Sequence, residues 1–148
     1  VSPEVLMAAD LCRRFEGFRS QPYLCPAGVP TIGYGSTHYA DGRRVTLLDK
    51  PISREAADRL LMLELERTYL KAVHAFCPGA DTPERVAALL DWTYNLGAGN
   101  LRASTLRRKV NAGEWDQVPA QLRRWNKGGG RVPPGLVARR EAEIGLLP

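Results

Sequence analysis

One stretch interrupts an otherwise helical chain. From Tyr23 to about Tyr39 the residues change to Pro, Gly, Thr, Tyr and Ile, punctuated by Gly28, Gly33 and Gly35, a composition suited to short twisted strands and turns. It is the only credible β region, so the pattern predicts a small hairpin set among helices, an α+β chain.

Helix signals surround it. Ser2-Pro3-Glu4 starts a helix in which Val5, Ala9, Cys12 and Phe15 recur at helical spacing until Gly17 stops it, leaving Glu16 at the helix end. After Pro51, a cap at Ser53 opens a pattern through Ala57, Leu60, Leu61, Leu65, Tyr69, Ala72 and Val73 that ends near Cys77, one helix of about six turns. Thr82-Pro83-Glu84 starts another, whose stripe of Val86, Leu89, Leu90, Thr93 and Tyr94 closes at Gly97 and Gly99. Shorter helices are predicted over Ser104 to Val110, Trp115 to Trp125, and Gly135 to about Ile144. The run Gly128 to Gly130 follows no strand and precedes no Lys-Ser or Lys-Thr, so it is a connecting loop and not a phosphate cradle.

At 148 residues, 44% of them apolar, the chain can bury a core without disulfides or metals. No apolar run reaches the length of a membrane span, so no stable membrane association is expected. Cys12, Cys25 and Cys77 allow at most one disulfide and lack zinc-site spacing, while His38 and His74 have no second ligand at i+4; neither metal nor cofactor is expected. Of the net charge of +5, residues 101 to 148 carry ten Lys and Arg against four Asp and Glu. A basic C-terminal face suits any polyanion, but it carries no nucleic-acid recognition motif, and nucleic acid is not expected as a partner.

The chemistry concentrates in Phe15-Glu16-Gly17-Phe18, Pro22 to Gly28, and Pro30-Thr31-Ile32-Gly33-Tyr34-Gly35. A carboxyl group at a helix end, facing a Gly-rich hairpin, can form one wall of a cleft. Aromatic neighbours that thin the water around it would keep a fraction protonated near neutral pH, as a general acid must be.

The order Glu-Gly, Tyr-x-x-x-x-Gly and Thr-Ile-Gly-x-Gly resembles the phage lysozymes and endolysins of glycoside hydrolase family twenty-four. Asn95-Leu96-Gly97, Ser104-Thr105-Leu106, Asn111-Ala112-Gly113, Trp125 and Gly135-Leu136-Val137-x-Arg139-Arg140-x-x-Glu143 follow the lambdoid endolysin pattern in the same order, over nearly the whole chain. The resemblance implies a lysozyme-like fold: one domain over 1–148, with lobes at approximately 16–52 and 75–148, a linking helix over 53–74 and a cleft between the lobes.

It also implies hydrolysis of the β-1,4 bond between N-acetylmuramic acid and N-acetylglucosamine in bacterial peptidoglycan. The family's catalytic Glu, an Asp nine residues on and a Thr six beyond that fall here on Glu16, Cys25 and Thr31. Their implied roles are proton donor, base or charge stabiliser, and holder of the attacking water. Cys25 departs from the Asp pattern, and a free thiol near pKa 8.5 is mostly neutral at pH 7: either a locally stabilised thiolate replaces the carboxylate as base or nucleophile, or Cys25 is a buried hairpin cysteine and Glu16 and Thr31 do most of the work. The alternatives are a peptidoglycan-binding protein that has lost turnover, or a lytic transglycosylase that cuts the same bond with one Glu. Tyr34, Asn95 and Arg139 are the candidate substrate-binding residues. Tyr34 could equally be packing, Asn95 could cap the turn at Gly97, and Arg139, ahead of Arg140, could pair with Glu16. A monomer made in the bacterial cytoplasm, acting on the wall after release or export, is the corresponding expectation.

Overall fold

A computed structural model describes all residues, 1–148. Helix α1 (Pro3–Glu16) begins on a proline that needs no hydrogen-bond partner for its nitrogen and buries Val5, Ala8, Ala9 and Cys12, one helical stripe. Gly17 ends it in a left-handed conformation (φ 74°) while its N–H returns to the Arg13 carbonyl, which leaves Glu16 on the final turn. Strands β1 (Arg19–Leu24) and β2 (Pro30–Gly33) form an antiparallel hairpin in which Tyr23 pairs with Thr31 and Leu24 with Pro30, with an irregularity between Arg19 and Tyr23. The sheet therefore starts four residues earlier than Tyr23 and stops at Gly33; residues 34 to 39 form turns and isolated bridges, because Gly33 and Gly35, both at positive φ, turn the chain out of the ladder.

The expected six-turn helix is a rod of three segments: α2 (Arg54–Glu64), a π-helical turn (Leu65–Tyr69) and α3 (Leu70–Phe76). Ser53 caps it by accepting the Ala56 N–H. Helix α4 (Pro83–Leu96), capped by Thr82, runs through the middle of the protein, with every residue from Val86 to Thr93 buried. It packs against α1, α3 and α8, so the single stripe expected from the sequence is replaced by burial on all sides.

Gly99 does not stop the chain as expected: Ala98–Ala103 is a further short helix, α5, closed onto Leu101, which is fully buried. Then come α6 (Thr105–Asn111), capped by Ser104, a 3-10 turn (Trp115–Gln117), α7 (Val118–Arg123) and α8 (Pro134–Leu146). Pro119 lies in the first turn of α7 and separates it from the 3-10 turn, which is why Trp115 to Trp125 is not one helix. Trp92 is fully buried and meets Trp125 edge to face at 5.1 Å, locking α4 to the segment after α7. The architecture is a small hairpin lobe and a larger helical lobe joined by the rod, an α+β fold.

Candidate active site

Glu16 is where α1, the hairpin turn and α8 converge. Its side chain is 23% exposed, and Oε2 accepts a hydrogen bond from Arg139 Nη1 at 2.7 Å. Arg139, expected among the substrate-binding residues, is almost wholly buried: its guanidinium also grips Asp91 of α4, Nε to Oδ2 at 3.0 Å and Nη2 to Oδ1 at 2.8 Å. The neighbouring Arg140 turns the other way, to Glu143 Oε2 and the Trp125 carbonyl. The structure thus brings Arg139, and not Arg140, to Glu16.

Gly35 forms the facing wall. Its φ of 89° is open to glycine, and a methyl group there would stand 2.9 Å from Glu16 Oε1 and 3.4 Å from the Tyr94 hydroxyl. Glycine is therefore needed at this position for both conformation and space. Tyr94 donates its O–H to the Tyr34 carbonyl at 2.7 Å, pinning the turn that carries Gly35. The Tyr34 side chain is buried against Phe18, with ring centroids 5.7 Å apart, so it serves as packing. Asn95 is half-buried on the last turn of α4, and its Oδ1 has no protein partner.

Cys25 opens the hairpin turn, its N–H on the Val29 carbonyl and its carbonyl receiving Gly28 N–H. The thiol is held below its ordinary range. The Val29 N–H is the chief cause, supplemented by the Ala27 N–H and the Thr31 hydroxyl, against a modest opposing effect of desolvation. The direction of the shift is towards thiolate. Thr31 is buried, and its Oγ1 donates to the Val29 carbonyl at 2.8 Å. Tyr23, opposite Thr31 in the ladder, has its hydroxyl pushed up by burial first and then by the nearby Glu16 and Cys25.

Two acidic residues escaped the sequence reading. One is Asp91. The other is Glu64, immediately before the π-helical turn, on the floor of a cavity of about 420 Å³ between the rod and the loop from Thr37 to Gly42. Its Oε1 is buried without a partner, as is the Ser36 hydroxyl beside it, and burial pushes its pKa up to about 7. Tyr69 lines the same cavity and stacks edge to face on Tyr94 at 5.2 Å, which links this groove to the Glu16 wall. An unexpected π turn is a signal that no residue spacing carries, although such turns recur at functional sites.

The phage lysozyme family model matches residues 13–143. The chain is 35% identical over 143 residues to an endolysin of Bacillus phage B103, covering 93% of this chain but 51% of that protein, so it spans about half the length of that relative. It is 36% identical over 137 residues to a SAR-endolysin of Bacteriophage PS119, covering 86% of this chain and 73% of the relative. Among solved structures, the endolysin from Escherichia coli O157:H7 phage FAHEc1 superposes with a TM-score of 0.82 at 30% identity, covering 95% of this chain and 89% of that one. No helix here is long and apolar enough to cross a membrane.

Proposed function

Because this chain belongs to the phage lysozyme family, we propose that it is an endolysin that hydrolyses the β-1,4 bond between N-acetylmuramic acid and N-acetylglucosamine, with Glu16 as the proton donor. The observation that carries this reading is a partly exposed carboxyl on a helix end, oriented by a buried arginine 2.7 Å away and backed by a glycine wall that keeps the approach open. Glu16 protonates the leaving glycosidic oxygen. The Cys25 thiolate, supported by the hairpin amides, takes the place of the second carboxylate and draws a proton from the attacking water. Thr31 Oγ1, whose proton goes to the Val29 carbonyl, helps to hold the attacking water, and Asn95, half-buried on the last turn of α4, binds the N-acetyl group of the glycan. The protein is made in a bacterial cytoplasm and reaches the wall by release or export, a route that relatives named SAR-endolysins support.

The test is wall hydrolysis by wild type, Cys25→Ala and Cys25→Asp, with the new glycan ends identified chemically. Cys25→Ala should lose about 10²-fold or more, the usual contribution of a base, while Cys25→Asp retains activity. New reducing N-acetylmuramic acid ends are the expected product. Equal rates for wild type and Cys25→Ala would remove Cys25 from the mechanism, anhydromuramyl ends would make the reaction a transglycosylation, and binding without cleavage would leave a wall-binding protein.

A further inference from the structure

Arg139 poses a problem for the acid it orients. Its guanidinium donates to the Glu16 carboxyl at 2.7 Å, and a general acid must give up and regain its proton in every cycle. When Glu16 is protonated, the charge on Arg139, whose side chain is 4% exposed, loses one of its two counter-ions inside the protein. A buried charge stranded in that way is strongly unfavourable.

The structure assigns the compensation to Asp91: we infer that it is a positioning residue whose carboxylate anchors Arg139 and offsets its charge, so that Arg139 can orient Glu16 without locking it as a carboxylate. The inference rests on the reading of Glu16 as proton donor. Asp91 is fully buried and holds Arg139 through two hydrogen bonds, so the Arg139–Asp91 pair is neutral whether or not Glu16 carries its proton.

Asp91 is itself held as the anion. Burial opposes its charge, but hydrogen bonds from Arg139 and Glu143 outweigh that opposition and keep it below the ordinary carboxylate range. Glu143 is pushed well up by burial and by Asp91, and its Oε2 accepts from Arg140 at 2.8 Å. Behind the pair, the Cys12 thiol donates to Asp91 Oδ1 at 3.3 Å and is pushed well up by burial. The other titratable groups near Glu16 are Tyr23 from β1, Tyr69 from the rod and Tyr94 from α4, all raised by burial and neutral across the working range. Glu64, at about 7, titrates within that range but is common to every variant compared below.

The test is the pH profile of kcat/KM on a soluble glycan from pH 4 to 9, for wild type, Asp91→Asn, Asp91→Glu, Arg139→Met and the double variant Asp91→Asn/Arg139→Met, with Glu16→Gln as control. Asp91→Asn should move the alkaline limb about one unit towards acid, costing about ten-fold more activity at pH 8 than at pH 5, because the uncompensated guanidinium holds Glu16 ionised. Arg139→Met should move it the opposite way. Asp91→Glu, which keeps the charge, should restore the wild-type limb even at a lower kcat. If Asp91→Asn does not fold, the double variant, with no stranded charge, still decides: its limb should lie at or above that of wild type. Superimposable limbs in wild type and Asp91→Asn with a uniform loss of rate, or a double-variant limb below wild type, would overturn the inference while leaving Glu16 as the donor. Activity retained in Glu16→Gln would instead overturn the functional reading beneath it.

Discussion

Glu16→Gln is expected to lower wall hydrolysis by about 10²–10⁴-fold, the usual contribution of a positioned general acid, with the loss in kcat and not in KM. The amide has nearly the shape of the acid and its oxygen can still accept from Arg139 Nη1, while Arg139 stays anchored on Asp91. The fold should therefore keep its melting temperature to within a few degrees, and the glycan its binding. What the variant lacks is the proton to give. Turbidity loss of purified walls, read beside a thermal melt of the same preparation, separates a chemical defect from a structural one.

The second large effect is on stability and lies in Glu64. Its carboxyl sits near 7 in the folded protein against about 4.5 in an unfolded chain, so the folded state holds a proton that the unfolded state releases. Stability from this group is unaffected below the unfolded value and falls as pH rises from there to the folded value. The full penalty, about 3 kcal/mol, is present above pH 7. Glu64→Gln removes it. The variant should melt near wild type at pH 4 and higher at pH 8, by roughly 6–12 °C for a chain of this size. A difference in melting temperature that stayed constant between pH 4 and 8 would show that the carboxyl is not buried as described.

Asp91 and Glu64 explain where sequence reading loses sight of this site. Glu16 is legible because a helix stop follows it at once, and the register to Cys25 and Thr31 is legible because glycines mark the hairpin between them. Arg139 was legible as a partner only through the family pattern. Asp91 is flanked by Leu90 and Trp92 in a helix that presents a buried residue in every direction, so no polar face exists to make a buried Asp stand out. Glu64 falls at a half-buried position of an amphipathic rod and becomes conspicuous only once the π turn and the Ser36 hydroxyl are seen around it.

Charge misleads for a related reason. Arg139 and Arg140 count towards the basic C-terminal stretch, yet both are buried, Arg139 against Glu16 and Asp91 and Arg140 against the Glu143 carboxyl group, and contribute little to any surface. The thiol of Cys25 was read as mostly neutral from its type alone, whereas the amides of the turn that it opens favour its ionised form. Residue type sets the starting value in each case, and the surrounding backbone and buried partners supply the correction. The helix over Ala98–Ala103 is hidden in the sequence by Gly99, which has the look of a terminator, although a single glycine in a short helix costs only about 1 kcal/mol and a buried Leu101 offsets it.

The most direct measurement is a crystal structure of Glu16→Gln with an uncleaved peptidoglycan oligosaccharide bound. The account predicts the residue-16 amide within roughly 3 Å of the glycosidic oxygen to be cut, with Arg139 still bridging it to Asp91. A glycan seated with that oxygen out of hydrogen-bonding reach of residue 16, or placed against Glu64 instead, would contradict it.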